Sequence, residues 1–315
     1  GVIGGGLVWL LTRKLASSLH SLCHTMDRVS EGASSVRFSP KMLGFEINDI
    51  GLLFNETLDS LLLQQKVAEK ERLHREKLAQ ELKLGHDIQA SLLPGQLVFV
   101  EGPQITTACV PATEVGGDFC DAFPLLSGEL LLAMADVAGK GISACLFSVG
   151  LRSSLRALAA ASENLSVVVA KANDLFLMDA KETGLFATLW LSVVKEGTLE
   201  YINLGHPPAF LKRKGKLQEL TTHHPALGLM PLHGLKSKKI SLEPGDELLL
   251  YSDGVTEAHN TQEKLYGAER LKETFLHGEK KESTAAIVEK IFEDAQLFSQ
   301  NAPQHDDMTL LLARW

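Results

Sequence analysis

The acidic residues of this chain fall in a pattern. "TEVGGDFCDAF" puts Asp118 directly after two glycines, "LLLAMADVAGKG" closes an apolar run on Asp136, and "ELLLYSDGVTEA" closes another on Asp253. "HDDMTLLLARW" opens a last run with Asp306 and Asp307. Each site alone reads as a turn or a strand cap. Four of them at strand ends read differently, because acids gathered at one edge of a sheet repel each other and lose hydration unless cations lie between them. Glycine beside a carboxylate lets the backbone come close and leaves room for an ion with its waters. Oxygen donors with no His or Cys partner at metal-ligand spacing favour Mg²⁺ or Mn²⁺ over zinc. Two such ions, about 4 Å apart, lower the pKa of a shared water and clamp phosphate oxygens, so phosphoryl hydrolysis of this kind needs no protein nucleophile. The chain fits that reading, since it holds no Cys-x5-Arg, Walker, Gly-x-Ser-x-Gly or His-Glu-x-x-His motif. "VAGKG" is too short for a phosphate loop, and no EF-hand loop is present.

Strands have to carry these acids together. "ITTACV", "ELLLAMADV", "ATLWLSVV", "TLEYINLG", "ELLLYSD" and "MTLLLARW" read as strands, and "SACLFSVGLRSSLRALAAAS", "NLSVVVAKANDLFLMDAK" and "STAAIVEKIFEDAQLFS" as helices. Strand runs with separate helices and no βαβ alternation predict an α+β domain over 95–315, sheets with helices on their outer faces. A net charge of −8 argues against a nucleic-acid partner. Cys23, Cys109, Cys120 and Cys145 stand in no zinc or disulfide spacing, as expected of reduced thiols.

Residues 1–94 have another texture. "GVIGGGLVWLL" is apolar for 11 positions before Arg13 and Lys14, too short to span a bilayer, which takes about 20 residues. Residues 1–12 read either as the end of a transmembrane helix, with the basic pair on the cytoplasmic side, or as a buried or frayed segment. Over 13–63, Leu15, Leu19, Leu22, Met26 and Val29 predict one apolar helix face, Gly32 a stop, and Asn48 or Asp49 the cap of a second helix. Helix, extended connector and helix resemble a HAMP linker, most closely at "EINDIGLLFNETLDSL"; the proline that usually follows the basic residues is replaced by Leu15. Residues 64–94 predict a long charged helix ended by Pro94-Gly95, either a solvated spacer or a parallel coiled coil that carries a signal.

With the acid sites in order, residues 88–312 resemble the PP2C-type serine/threonine phosphatases of the bacterial SpoIIE/RsbU branch. The resemblance is carried by "IQASLLPG", "EVGGDFCDAF", "ADVAGKGISACLF", "YINLGHPPAFL", "LLLYSDGVTEA", "YGAERL" and "HDDMTLLL". It implies a PP2C-like β-sandwich flanked by helices. It also implies two divalent cations, Mn²⁺ or Mg²⁺, on a catalytic set of Asp118, Asp136 with the Val137 carbonyl, Asp253 and Asp306, with Asp136 bridging. Asp307 would orient a neighbour or ligate weakly. Cys120 stands where the family usually has Tyr. His206 is either a turn residue or an acid catalyst, and Lys140 either meets substrate phosphate or is solvated. No arginine matches the phosphate-binding arginine of eukaryotic relatives. The resemblance further implies a homodimer at the inner (cytoplasmic) membrane, this part facing the cytoplasm. It would dephosphorylate an anti-sigma-factor antagonist of STAS type in a partner-switching pathway, controlled by a sensor through the HAMP linker. An inactive PP2C-fold scaffold and another two-metal phosphoester hydrolase are the alternatives.

Overall fold

No proline precedes Pro40, and helix α1 runs unbroken over Val2–Ser30 before Gly32, at φ 100°, turns the chain. Helix α2 follows over Phe45–Leu92. The computed structural model describes every residue except 1, 42–44, 93, 95, 99–101, 127, 163, 222–223, 279–281 and 301. It forms two compact units, residues 1–80 and 81–315, which divide inside α2.

In the first unit the motif "IGLLFN" is explained by contacts with the connector between the helices. A Cβ on Gly51 would lie 2.0 Å from the Phe38 ring, so only glycine lets that ring lie against α2. The Asn55 side chain brackets the same residue, accepting from Phe38 N at 2.9 Å and donating to Phe38 O at 2.8 Å. Three sequence expectations need correction here. The second helix begins at Phe45, not at Asn48 or Asp49, because the Asn48 amide closes the connector on the Lys41 backbone instead of capping. Among the described residues of α1, Leu22 of the expected face is buried and Val29 half-buried, whereas Leu15, Leu19 and Met26 are exposed and the polar Ser18 and Thr25 are buried instead; Lys41 of the connector reaches Ser17 O and Oγ. Residues 64–92 continue the preceding helix without a break, since nothing between Phe45 and Leu92 removes a helical hydrogen bond. Leu93 and Gly95, part of the expected helix stop, lie outside the described residues.

The second unit is built on strands β1 (Gln96–Val98), β2 (Gln104–Val110), β3 (Asp118–Pro124), β4 (Leu130–Val137), β5 (Ala187–Lys195), β6 (Thr198–Leu204), β7 (Ala209–Arg213), β8 (Lys216–Leu220), β9 (Lys238–Ser241), β10 (Glu247–Tyr251) and β11 (Met308–Arg314). Of these, β3, β4, β10 and β11 are buried on both faces and the edge strands β8 and β9 are largely exposed. Helices α3 (Ile142–Ala161) and α4 (Leu165–Ala180) follow β4; α5 (Asp253–Thr256), α6 (Ala268–Leu276) and α7 (Thr284–Ser299) separate β10 from β11. Two antiparallel sheets result, ordered β1-β2-β11-β10-β7-β8 and β3-β4-β5-β6-β9.

The period of two along each strand assigns its side chains to layers. Leu130, Leu132 and Met134 of β4 join Trp190, Leu211, Leu250 and Leu311 between the sheets. Leu131, Ala133 and Ala135 face the other way, into the layer under α3 and α4. On the far sheet Leu249, Leu310 and Leu312 pack under α6 and α7 with Phe275 and Ile291. The order helix, sheet, sheet, helix is the expected α+β architecture. By length and composition α3 could cross a membrane, but Ala144, Ser148, Leu151, Leu155 and Ala159 form the stripe it buries in this unit.

Gly51→Val should dislodge Phe38 and loosen the connector while leaving the helices intact, at a cost of about 1–3 kcal/mol for overpacking. Trypsin should then cut after Arg37, now held by Asp59, faster than in wild type at equal helical circular dichroism. Equal cutting rates would show that the glycine is not needed.

Candidate active site

Strand register brings the acids together. Asp118 opens β3 and Asp136 nearly closes β4, and the two are direct cross-strand partners. Both fall on the face turned toward the second sheet, in phase with Cys120 and Met134. In that sheet Tyr251 pairs with Leu310, so Asp253 lies just past the end of β10 while Asp306 and Asp307 lie just before β11. The sheets are joined here by a hydrogen bond from Thr309 Oγ1 of β11 to Asp118 Oδ2 of β3, 2.6 Å long. Within the second sheet, Ser252 ties the end of β10 to the start of β11, donating to Asp307 O at 3.0 Å and accepting from Thr309 N at 2.9 Å.

The acids feel one another. Burial, then the charge of Asp136, holds the Asp118 carboxyl well above the usual range, against the bonds from Thr309 and Ser252. Burial, then Asp253, Asp306 and Asp307, pushes Asp136 up to about 7. Asp253 is raised by burial, by Glu257 and by Asp306. Carboxylates opposed across a ladder are destabilising unless something neutralises them. The donor set is all oxygen and its members crowd each other electrostatically, so the residues fit a hard divalent cation. Among the described residues no three acid, imidazole or thiol side chains are drawn into one closed nest.

Asp307 has a different place from its neighbour. It is buried, and its carboxylate accepts from the backbone amides of Ala112 at 2.8 Å, Gly117 at 2.7 Å and Asp118 at 3.4 Å. A Cβ on Gly116 would fall 2.1 Å from its Oδ2, and one on Gly254 2.1 Å from its carbonyl oxygen. A Cβ on Gly117 would lie 2.6 Å from the Val137 carbonyl oxygen. The glycines beside the acids are thus sites of close approach. Asp306 is half-exposed, accepts from Asp307 N at 2.9 Å and lies 4.0 Å from Lys140 Nζ, which also donates to the His305 carbonyl. Lys140 is therefore not simply solvated.

Three groups that sequence reasoning did not single out hold this loop. Gln89 on the last turns of α2 donates to Gly116 O at 2.8 Å and accepts from Gly116 N at 3.1 Å. His86 Nδ1 meets Glu114 O at 2.9 Å. Arg152 of α3 donates to Leu92 O at 2.8 Å and pairs with the buried Asp121 of β3 at 3.1 Å. These bonds explain why residues 81–92 belong with the sandwich. A polar residue inside an apolar run was the available signal for Thr309; Gln89 lies in the motif "IQASLLPG", which gave it no role because its partner is backbone.

Residues 127–315 match the family described as Stage II sporulation protein E (SpoIIE). The chain belongs to the SpoIIE family. It is similar to Protein IcfG of Synechocystis sp., 32% identical over 223 residues, 62% of this chain but only 35% of that protein. The match to the phosphoserine phosphatase RsbU of Bacillus subtilis is 27% over 244 residues, 76% of this chain and 71% of that one. The fold is that of the SiaA-PP2C domain of Pseudomonas aeruginosa, with TM-score 0.67 at 18% identity over 77% of this chain and 98% of the other. The PP2C-like sandwich expected from the motifs is thus present.

Two family motifs can now be read physically. In "NLGHPP", Asn203 accepts from His206 N and donates to His206 O, both at 2.8 Å, and closes a turn around Gly205, whose φ is 68°. His206 is buried, bonded to Thr188 Oγ1 at 2.8 Å, and burial pushes it down to about 3, which suits a neutral turn residue and not a proton donor. Cys120 is fully buried between the sheets, so its exchange for the usual Tyr of this SpoIIE motif is a packing change.

The raised acids give stability a pH dependence. A carboxyl that ordinarily titrates near 3.8 and sits at about 7 in the folded chain favours folding below the lower value. That contribution disappears as pH rises through the upper value. In chelator, the thermal midpoint should therefore fall from about pH 5 to about pH 8, and Asp136→Asn should flatten the fall. Parallel curves for the two proteins would contradict this.

Proposed function

We propose that the chain is a metal-dependent protein phosphatase that hydrolyses phosphoserine or phosphothreonine. The observation that carries the reading is the meeting of Asp118, Asp136, Asp253 and Asp306 at one end of the sandwich of a SpoIIE-family chain, where burial first and neighbouring carboxylates second raise Asp118, Asp136 and Asp253. Asp118, Asp136, the Val137 carbonyl, Asp253 and Asp306 would hold two divalent cations, Mn²⁺ or Mg²⁺. When bound, such a pair lowers the pKa of a water and neutralises phosphate oxygens.

The chain's own residues then have separable tasks. Thr309 occupies one oxygen of Asp118 and leaves the other for a cation. Asp136 and Asp118 supply opposed oxygens from adjacent strands. Asp307, engaged with three amides, holds the 112–118 backbone in place and needs no cation of its own. Loss of Asp307 would move Asp118, so its effect on activity would be positional.

The resemblance to RsbU supports a phosphorylated anti-sigma-factor antagonist as substrate. We further propose a homodimer at the cytoplasmic face of the inner membrane, with residues 13–63 acting as a HAMP-like linker, on the strength of the apolar start, the basic pair Arg13-Lys14 and the motif "EINDIGLLFNETLDSL". The helix that runs from the first unit into the second carries Gln89 in its last turn, where it grips Gly116 two residues before Asp118. Control would pass through that grip.

With Mn²⁺, wild type should hydrolyse p-nitrophenyl phosphate, and Asp136→Asn and Asp253→Asn should each lose more than about a hundredfold, since even outer partners of a metal cost about 10- to 100-fold. Turnover in both variants, or none in wild type with any divalent ion, would remove the assignment. Gln89→Ala should lower kcat and raise the Mn²⁺ concentration needed for half-maximal rate, with the thermal midpoint nearly unchanged. An unaltered Mn²⁺ requirement would sink the control reading alone.

A further inference from the structure

A phosphate brings negative charge to a ring of acids, and the arginines are already engaged. Arg152 and Arg156 pair with Asp121, Arg213 with Asp246, Arg270 with Asp294 and Arg314 with Glu247. These are all the arginines of residues 81–315, and none of those partners is a site acid. Among the described residues, Lys140 is the one cation in an ion pair with a site acid, 4.0 Å from Asp306 Oδ2. It lies on the loop leaving β4, between Gly139 at φ 107° and Gly141 at φ 74°. Its side chain is 49% exposed, so swinging the ammonium costs rotamer freedom and no buried contact.

We propose that Lys140 competes with a divalent cation for Asp306 and, once displaced, binds the phosphate oxygens of the substrate; this rests on the phosphatase reading. A dication on Asp306 takes the ammonium's partner and repels the ammonium itself. The event that completes the site therefore frees the lysine. Three rotatable donors on a compact charge suit a phosphate whose orientation is fixed by other groups. The glycines on either side let the loop follow the ammonium without strain at Lys140 itself.

Wild type, Lys140→Gln and Lys140→Arg are compared by calorimetry, Mn²⁺ first and inorganic phosphate into the Mn²⁺-loaded protein second. Steady-state hydrolysis of p-nitrophenyl phosphate accompanies both titrations. Lys140→Gln should bind Mn²⁺ more tightly than wild type and phosphate about tenfold more weakly, the scale of one hydrogen bond to a charged group. KM should rise more than kcat falls, and Lys140→Arg should recover most of the phosphate affinity. Weaker Mn²⁺ binding and lower kcat at unchanged phosphate affinity would overturn the proposal, because Lys140 would then only tether residues 305–306. Unchanged values throughout would overturn it as well. A wild type that binds Mn²⁺ and phosphate yet hydrolyses nothing would remove the phosphatase reading, and the two titrations would still decide the role of Lys140.

Discussion

One buried carboxylate ties the end of this sandwich together. Asp307 begins the approach to β11, yet its oxygens accept from the amide of Ala112, just past the neighbouring β2, and from those of Gly117 and Asp118, where β3 of the other sheet begins. Backbone amides have fixed directions, so three bonds to one side chain determine where β3 starts relative to β11. The packing confirms how little slack exists: glycine is needed at 116 and at 254 because Asp307 side chain and backbone occupy the space of a Cβ. The position of Asp118, the bond from Thr309 and the opposition to Asp136 all follow from that placement.

The core supplies the second constraint, register. Every strand that carries a site acid is buried on both faces, and inner and outer side chains have separate layers to fill. Slipping β4 by one residue would send Leu131 and Ala133 into the gap between sheets and turn Asp136 toward the helices. The apolar interior thus fixes the acids in positions they would not choose electrostatically. Their crowding is a local cost carried by a large buried sandwich, and a bound cation would convert the cost into affinity.

Much of this could be read from the chain, for definite reasons. Asp118, Asp136, Asp253, Asp306 and Asp307 were legible because each interrupts an apolar run beside glycine or a turn, and a strand end is the one place where that makes sense. The helices on the outer faces were legible as long periodic stretches. Helix α6, nine residues long, and the edge strands β8 and β9 left little periodic signal. The face of α1 was only partly legible because Leu15, Leu19 and Met26 extend the stripe beyond the buried Leu22, while the contact from Lys41 comes from a connector without periodicity. Thr309 could have been noticed as a hydroxyl in "MTLLLAR". The pairing of Gln89 with the Gly116 backbone has no complementary residue to betray it.

The unequal treatment of β3 and β4 carries one more consequence. β4 has strands on both sides, β3 and β5, and is held by core packing. β3 is the edge of its sheet, and much of its hold comes from directional polar bonds: Asp307 before its first residue, Gln89 and His86 on the loop that leads into it, and Arg152 joining Asp121 to the end of α2. Leu84 and Ile88 on those turns of α2 stay exposed, so α2 grips the loop through hydrogen bonds more than through apolar burial. Hydrogen bonds weaken steeply with angle, whereas apolar packing is not directional. A rotation of α2 would therefore be felt first by the strand that carries Asp118, while Asp136 stays where the core holds it. Under the proposed control through α2, the separation of those two opposed acids would be the coordinate on which the helix acts.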